Sequence, residues 1–293
     1  MRDYKFFILD AFARKAFQGN PAGVVIDQGR LSDQERLALA EELKMSETAF
    51  IERLDINDYR IRYFTPVEEV DLCGHASIAS FYMLAQYDYI EGLENGVKEV
   101  LLRSKAGNLP IYLTYKNGAL EEVTMTQSDP QDFGQVKDIG AMARALGLRQ
   151  EDFYAPEDLP MEKISTGIRD LMVPLKSRQA LADIQADMDA LVDLSKKYDY
   201  YSVHAFCQEG GKIYQRNFCP ILGIPEEAAT GTSTGALLHY LNKHQGQKSF
   251  RAIQGLEMNR PSELVASYQG EPGKEKITVG GRACLVVEGV LHV

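Results

Sequence analysis

Hydrophobic positions in this chain come in short runs rather than long stripes. Residues 4–11 and 22–27 are apolar or alternate, with β-branched residues among them, and the pattern predicts strands. Ser32-Asp33-Gln34-Glu35 has the S-x-x-E form of a capping box and opens a helix through Lys44. Residues 48–52 and 59–64 read as strands, and Cys73-Gly74 starts a helix whose first turn is small and uncharged. Further strands are expected near 97–103, 109–115 and 120–126. Beyond them the pattern predicts a strand at 171–175, a helical stretch at 179–197, and strands at 200–207 and 212–218. A helix at 232–243 follows, with Gly246 as its C-terminal stop, then closing strands at 276–280 and 283–287. Strands and helices are interspersed without regular βαβ alternation. The expected class is therefore α+β.

The pattern repeats itself. Arg62-Tyr63-Phe64-Thr65-Pro66 returns as Arg216-Asn217-Phe218-Cys219-Pro220, each R-x-F-x-P. Each copy is followed by a glycine-led segment, GHASIASFYML from Gly74 and GTSTGALLHYL from Gly231. Upstream, GNPAGVVI at 19–26 has a looser counterpart in GIRDLMVPL at 167–175. The copies are offset by 148 to 157 residues, so two related halves are expected, 1–125 and 126–293.

Composition narrows the function. The 293 residues are 45% hydrophobic and 25% charged, ordinary for a globular chain. Roughly three quarters of the unfolded surface is buried at this size. A formal charge of −10 argues against nucleic acid and anionic membranes as partners. A small anionic ligand stays open, because helix N-termini hold anions locally. No apolar run approaches the roughly 18 residues of a membrane span. Asp10 interrupts the short apolar run near the N-terminus, so no signal-peptide core is expected. Four cysteines at 73, 207, 219 and 284 form no C-x-x-C pair, which fits reduced thiols in a cytoplasmic protein.

Candidate chemistry gathers at the repeated motif. Each glycine-led helix start offers free backbone N–H groups and the positive end of a dipole, suited to a carboxylate or an enolate-like oxyanion. Glycine and alanine there equally suit a helix packed tightly within a sheet, and both readings stand. Nucleotide fingerprints, a nucleophile elbow and a zinc-binding H-E-x-x-H are absent. Cys73-Gly74-His75 brings a thiol and an imidazole together at a helix start. A buried structural cysteine and a catalytic acid or base are both open there, and a metal site lacks further ligands at a recognisable spacing. Glu47 lies between a helix end and an apolar strand, where desolvation raises a carboxyl pKa; a solvated turn glutamate is the alternative. Glu226 and Glu227 precede the second glycine helix, either as acids favoured by its dipole or as a carboxylate for a substrate ammonium. The remaining histidines, at 204, 239, 244 and 292, stand in no catalytic spacing.

GNPAGVV at 19–25, SETAF at 46–50, RYFTP at 62–66, DLCGHASIAS at 71–80 and RNFCP…GIPEEAATGT at 216–232 occur in one order. With them the chain resembles the phenazine-biosynthesis isomerase (PhzF-like) family, within the diaminopimelate-epimerase-like fold, over essentially its whole length. The resemblance implies two similar domains, each a β-barrel-like sheet wrapped around a central helix, with the active site in the cleft between them. It implies cofactor-independent, metal-free isomerisation of a small amino- and carboxylate-bearing ring compound. Glu47 would be the acid/base and His75 would help the proton move. Gly74 and Gly231 would hold the substrate carboxylate, and Asn20, Glu227 and Thr232 would complete the binding set. A homodimer is also implied. The usual second motif reads E-D-x-x-T-G-S, whereas here Glu227 stands for the aspartate and Thr232 for the serine. Related racemases carry a Cys-Gly in each half, and here the second pair is Thr230-Gly231. A glutamate-driven proton shift is thus favoured over a racemase using Cys73 with Glu47 or Glu227, and over a non-catalytic carboxylate binder.

Overall fold

The short apolar runs of the first third become strands and two helices in the computed structural model, which describes residues 2–270 and 274–293. In order these are β1 (Asp3–Ala11), β2 (Asn20–Ile26), α1 (Asp33–Leu43), β3 (Thr48–Asp55), β4 (Asp58–Phe64), β5 (Glu69–Val70), α2 (Gly74–Gln86), β6 (Gly96–Ser104), β7 (Gly107–Lys116) and β8 (Ala119–Thr126). Strand β2 is antiparallel to β1 and parallel to β3. Strand β4 runs antiparallel to β3 and β5 and parallel to β6. Strands β6, β7 and β8 then form a meander. Helix α2 is buried without a break from His75 to Leu84, as a helix apolar on all sides must be. It packs against β1, β2, β3 and β8. The sheet therefore wraps its own hydrophobic helix, and the helix start at Gly74 comes up beside the start of β3.

The second part contains β9 (Gln131–Gln135), α3 (Ile139–Leu146), β10 (Glu162–Ser165), β11 (Arg169–Pro174), α4 (Arg178–Ala182), α5 (Met188–Tyr198), β12 (Ser202–Glu209), β13 (Lys212–Cys219), β14 (Ile224–Glu227), α6 (Gly231–Gln245), β15 (Ser249–Gln254), β16 (Ser262–Gln269), β17 (Lys276–Gly281) and β18 (Ala283–His292). The pairing sense repeats that of the first part. Strands β10 to β13 pair antiparallel, parallel, antiparallel. Strand β13 then takes the short β14 antiparallel and β15 in parallel, and β15 pairs antiparallel with β16. The buried helix here is α6, covered by β10, β11, β15 and β16.

By internal contacts the chain divides into one unit ending at Thr126 and completed by Gly280–Val293, and a second unit of Gln127–Val279. The C-terminal segment thus differs from its expected place in the second half. Strand β18 pairs antiparallel with β1 along Asp3–Ala11, and that ladder ties it to the first unit.

The capping box at Ser32 forms as expected, with Glu35 N–H donating to Ser32 Oγ and Ser32 N–H donating to Glu35 Oε2 (2.7 Å). Gly246 ends α6 in the left-handed region, also as expected. The helical stretch foreseen at 179–197 is instead two helices. Ser177 caps α4, and Asp187 starts α5 afresh by accepting from Ala190 N–H (3.0 Å). Elements β5, β9, β10, α3, β14, β15 and β16 carried no expectation.

Candidate active site

Both R-x-F-x-P copies build the same device. In the first unit Arg62 lies over the Phe64 ring and forks onto Glu69 of β5, at 2.7 and 2.6 Å. In the second, Arg216 lies over Phe218 and forks onto Glu226 of β14, at 2.8 and 2.9 Å. The bidentate pair pins the short strand that leads into the glycine helix. Glu226 is therefore a structural partner, placed on β14 rather than in the helix's first turn. Arg216 Nη1 also donates to the carbonyls of Leu181 and Ile184, which the break between α4 and α5 leaves free.

The two helix starts match in detail. Cys73 and Thr230 are extended N-caps without a side-chain cap bond. One turn on, Ser77 Oγ donates to Cys73 O (2.7 Å) and Thr234 Oγ1 to Thr230 O (2.8 Å). A Cβ placed on Gly74 would meet only the Met125 Cε methyl, at 3.8 Å, and one on Gly231 only Val279 Cγ1, at 3.9 Å. These are ordinary contacts, so packing does not demand glycine at either place. Of the two readings left open by sequence, the one in which glycine keeps the first turn approachable has the structural support.

At the first helix start three of the expected residues meet. Glu47 follows the left-handed cap residue Lys44 of α1, and its carbonyl accepts from Gly23 N–H (3.1 Å). Its Oε2 lies 3.2 Å from His75 Nε2. Ser46 Oγ is 3.5 Å from the same nitrogen, and Cys73 Sγ is 3.4 Å from His75 Nδ1. Burial acts most strongly on Glu47 and raises its pKa; donation and charge from His75, with Ser46 and Cys73, outweigh it and leave the carboxyl below its ordinary value. The net direction is opposite to that expected from burial in an apolar strand, because the sequence did not show the donors. Burial likewise lowers His75, but Cys73 first and then Glu47, by charge and hydrogen bonding, raise it well above the ordinary imidazole value. Burial pushes the Cys73 thiol up, while the charge of His75 pulls it down. Asn20, at the start of β2, is buried opposite Ala11 in the β1 ladder.

Glu47, Cys73 and His75 present donor atoms within 4.8 Å of one another, a spacing a metal ion could use. An ion there would have to displace the proton of a thiol and of an imidazole that are both raised above their ordinary values.

In the second unit Glu227, Gly231 and Thr232 meet at the other helix start. Glu227 Oε2 accepts from Thr230 Oγ1 (2.6 Å), and Thr232 O accepts from Thr166 Oγ1 (2.7 Å). A Cβ on Gly167 would come within 2.7 Å of Thr232 Cγ2, so glycine makes room for the threonine methyl. Beneath this turn lies a buried polar layer that sequence reasoning missed. Gln254 Nε2 donates to Glu227 O (2.8 Å), and Asn217 Nδ2 donates to Ser233 Oγ (2.8 Å) and faces His204 Nδ1 (3.1 Å). Ser202 donates to Asp170. The available signal was polar residues at inward positions of otherwise apolar strands, Asp170 in GIRDLMVPL above all.

A cavity of about 180 Å³ elsewhere in the first unit is lined by Arg60, Arg62, Arg103 and Lys105. Each of these cations already pairs with an acid, Glu52, Glu69 or Asp58. That leaves little charge for an anionic ligand.

The chain is similar to known proteins along its whole length. The Bacillus subtilis protein named uncharacterized isomerase YfhB is 35% identical over the full length of both chains. Trans-2,3-dihydro-3-hydroxyanthranilate isomerase of Pseudomonas aeruginosa is 31% identical, over 98% of each chain. A crystal structure of a Bacillus anthracis phenazine biosynthesis protein of the PhzF family superposes over all of both chains with a TM-score of 0.86 at 27% identity. The chain is an isomerase, a class its relatives share. Residues 9–289 match the model of the phenazine biosynthesis-like proteins (PhzC-PhzF), and the chain belongs to that family.

Proposed function

We propose that the chain moves a proton within a small, cyclic, conjugated metabolite bearing amino and carboxylate groups, without a cofactor, with Glu47 as acid/base. The observation that carries the reading is the Glu47–His75 contact of 3.2 Å beside an uncapped helix start. In the resting pair Glu47 is the carboxylate and His75 the imidazolium. Glu47 takes a proton from a substrate C–H and becomes the acid. The C–H electron pair shifts along the conjugated system, and a proton returns to a distant carbon from Glu47, with His75 stabilising the charge between. No atom or electron is gained or lost. The helix-start amides at Gly74 and Gly231 are the natural holders of the substrate carboxylate. Glu227, with Thr230 on its carboxylate, suits the substrate amino group.

The rival reading, a racemase working through Cys73, has the Cys73–His75 contact in its favour. The raised thiol pKa counts against it, and so does Thr230 at the matching place in the second unit. The compound named in the Pseudomonas aeruginosa relative, trans-2,3-dihydro-3-hydroxyanthranilate, is the first substrate to test. Its isomerisation is followed by ultraviolet absorbance with wild type and Cys73→Ala. The glutamate mechanism expects the variant to keep its rate within a few-fold. Loss of turnover in a folded Cys73→Ala protein would favour the thiol mechanism instead.

A further inference from the structure

Asp170 sits on β11 inside the second unit, fully buried. Its Oδ1 accepts from Ser202 of β12, and its Oδ2 is buried with no hydrogen-bond partner. Ser233, in the first turn of α6, is a second hydroxyl within its reach. The titratable groups that face it are Glu227 from β14 and the Cys219 thiol from β13, both acids. His204 lies one step along on the same face of the sheet, two residues beyond Ser202 on β12. It is buried too, and burial holds it neutral with a pKa of about 4. No cation therefore compensates a charge on Asp170 from these elements. An isolated buried carboxylate is far more costly than the neutral acid, so the group keeps its proton into the neutral range. Burial is the main cause, and it lifts the pKa from 3.8 to about 7.

The position matters because of what stands above it. Through Ser202, Asn217 and Ser233 the carboxyl joins the layer that supports the first turn of α6, next to Gly231 and Thr232. We infer that Asp170 is a positioning residue for the anion grip of the second unit. As the neutral acid it supports the helix start and leaves it able to take the substrate carboxylate; as the anion it turns that carboxylate away. The inference rests on the proposed role of the α6 start in holding the substrate carboxylate. It adds a control of binding by the charge under that turn.

The test is calorimetric binding of 3-hydroxyanthranilate, a stable aromatic amino carboxylate, between pH 6 and 8.5. Wild type is expected to bind about tenfold more weakly at pH 8 than at pH 6, following the neutral fraction of Asp170. Asp170→Asn mimics the neutral acid and is expected to bind with a flat pH profile. Ser202→Ala removes a hydrogen bond that favours the ionised form, so its weakening sets in at higher pH. An Asp170→Asn profile as steep as that of wild type would overturn the inference, and so would the absence of binding to wild type at every pH.

Thermal unfolding gives a readout that needs no ligand. A carboxyl whose folded pKa is raised stabilises the fold fully below its unfolded pKa, and that stability is lost as pH rises through the folded value. The wild type should therefore lose stability relative to Asp170→Asn between about pH 4 and pH 7. A constant difference across that window contradicts a buried neutral Asp170. Glu47→Gln is expected to keep the pH-dependent binding, since Asp170 acts on binding rather than on proton transfer. Turnover retained by Glu47→Gln would defeat the proposed mechanism and leave the Asp170 result intact.

Discussion

Burial pushes the Glu47 carboxyl up, while His75, Ser46 and Cys73 pull it down; the balance lies with the donors. Cys73 and Glu47 in turn raise His75 well above its ordinary value, although burial opposes its charge. A base ionised below the ordinary glutamate range and an acid charged above the ordinary imidazole range give a wide working window. Under saturating substrate, kcat should stay level from about pH 5 to pH 8, with its falling limbs outside that range. Initial rates across buffers check this, and a limb centred near the ordinary histidine value would contradict the pairing. At this scale Glu47 and His75 were legible because SETAF and CGHA are distinctive strings. The direction of the Glu47 shift was not, since it depends on three residues that only the fold brings within reach. Asp170 was missed because a single aspartate in an apolar strand gives no motif. Its meaning lies in Ser202, 32 residues on.

The unit that repeats is an element pair, a strand carrying R-x-F and the short strand that follows it. Arginine lies over phenylalanine and forks onto the glutamate of the short strand, and this fixes the approach to each glycine helix. Arg216 is the more deeply buried of the two, at 7% exposure against 23% for Arg62. Removing Glu226 would leave that guanidinium without its bidentate partner, and Glu257 is too far, at 4.0 Å, to replace it. Glu226→Gln is expected to cost about 3 kcal/mol in denaturant unfolding, and Glu69→Gln in the first unit less. Equal losses for the two would mean that burial of the arginine does not set the cost. The sequence showed the arginine, the phenylalanine and the proline of this device, but left Glu226 open between a helix-turn acid and a carboxylate for a substrate ammonium, and neither reading placed it on the arginine. The break at residues 183–187 was hidden because the apolar pattern continues across it. Its cause is tertiary: Arg216 takes the carbonyls that the break frees.

At the scale of the molecule, two units repeat one order of strand pairings around a buried helix, and the short matching motifs in the sequence are what survive of that repetition. Most strands and both glycine helices were legible because their runs are apolar and bounded by turns. The placement of β18 with the first unit was not, because a ladder to β1 joins residues 3 and 292 and leaves no local trace. Among the described residues no helix is long and apolar enough to cross a membrane. The family match spans residues 9–289, so the isomerase assignment concerns the whole two-unit chain rather than one motif.

The central claim is that Glu47 carries the proton, and proton NMR in D₂O tests it most directly. Wild type and Glu47→Gln are each mixed with trans-2,3-dihydro-3-hydroxyanthranilate, and the ring C–H signals are followed over time. The account predicts isomerisation with deuterium incorporation by wild type and a loss of about a thousandfold or more in the variant. Deuterium incorporation at the wild-type rate by a folded Glu47→Gln protein would contradict it.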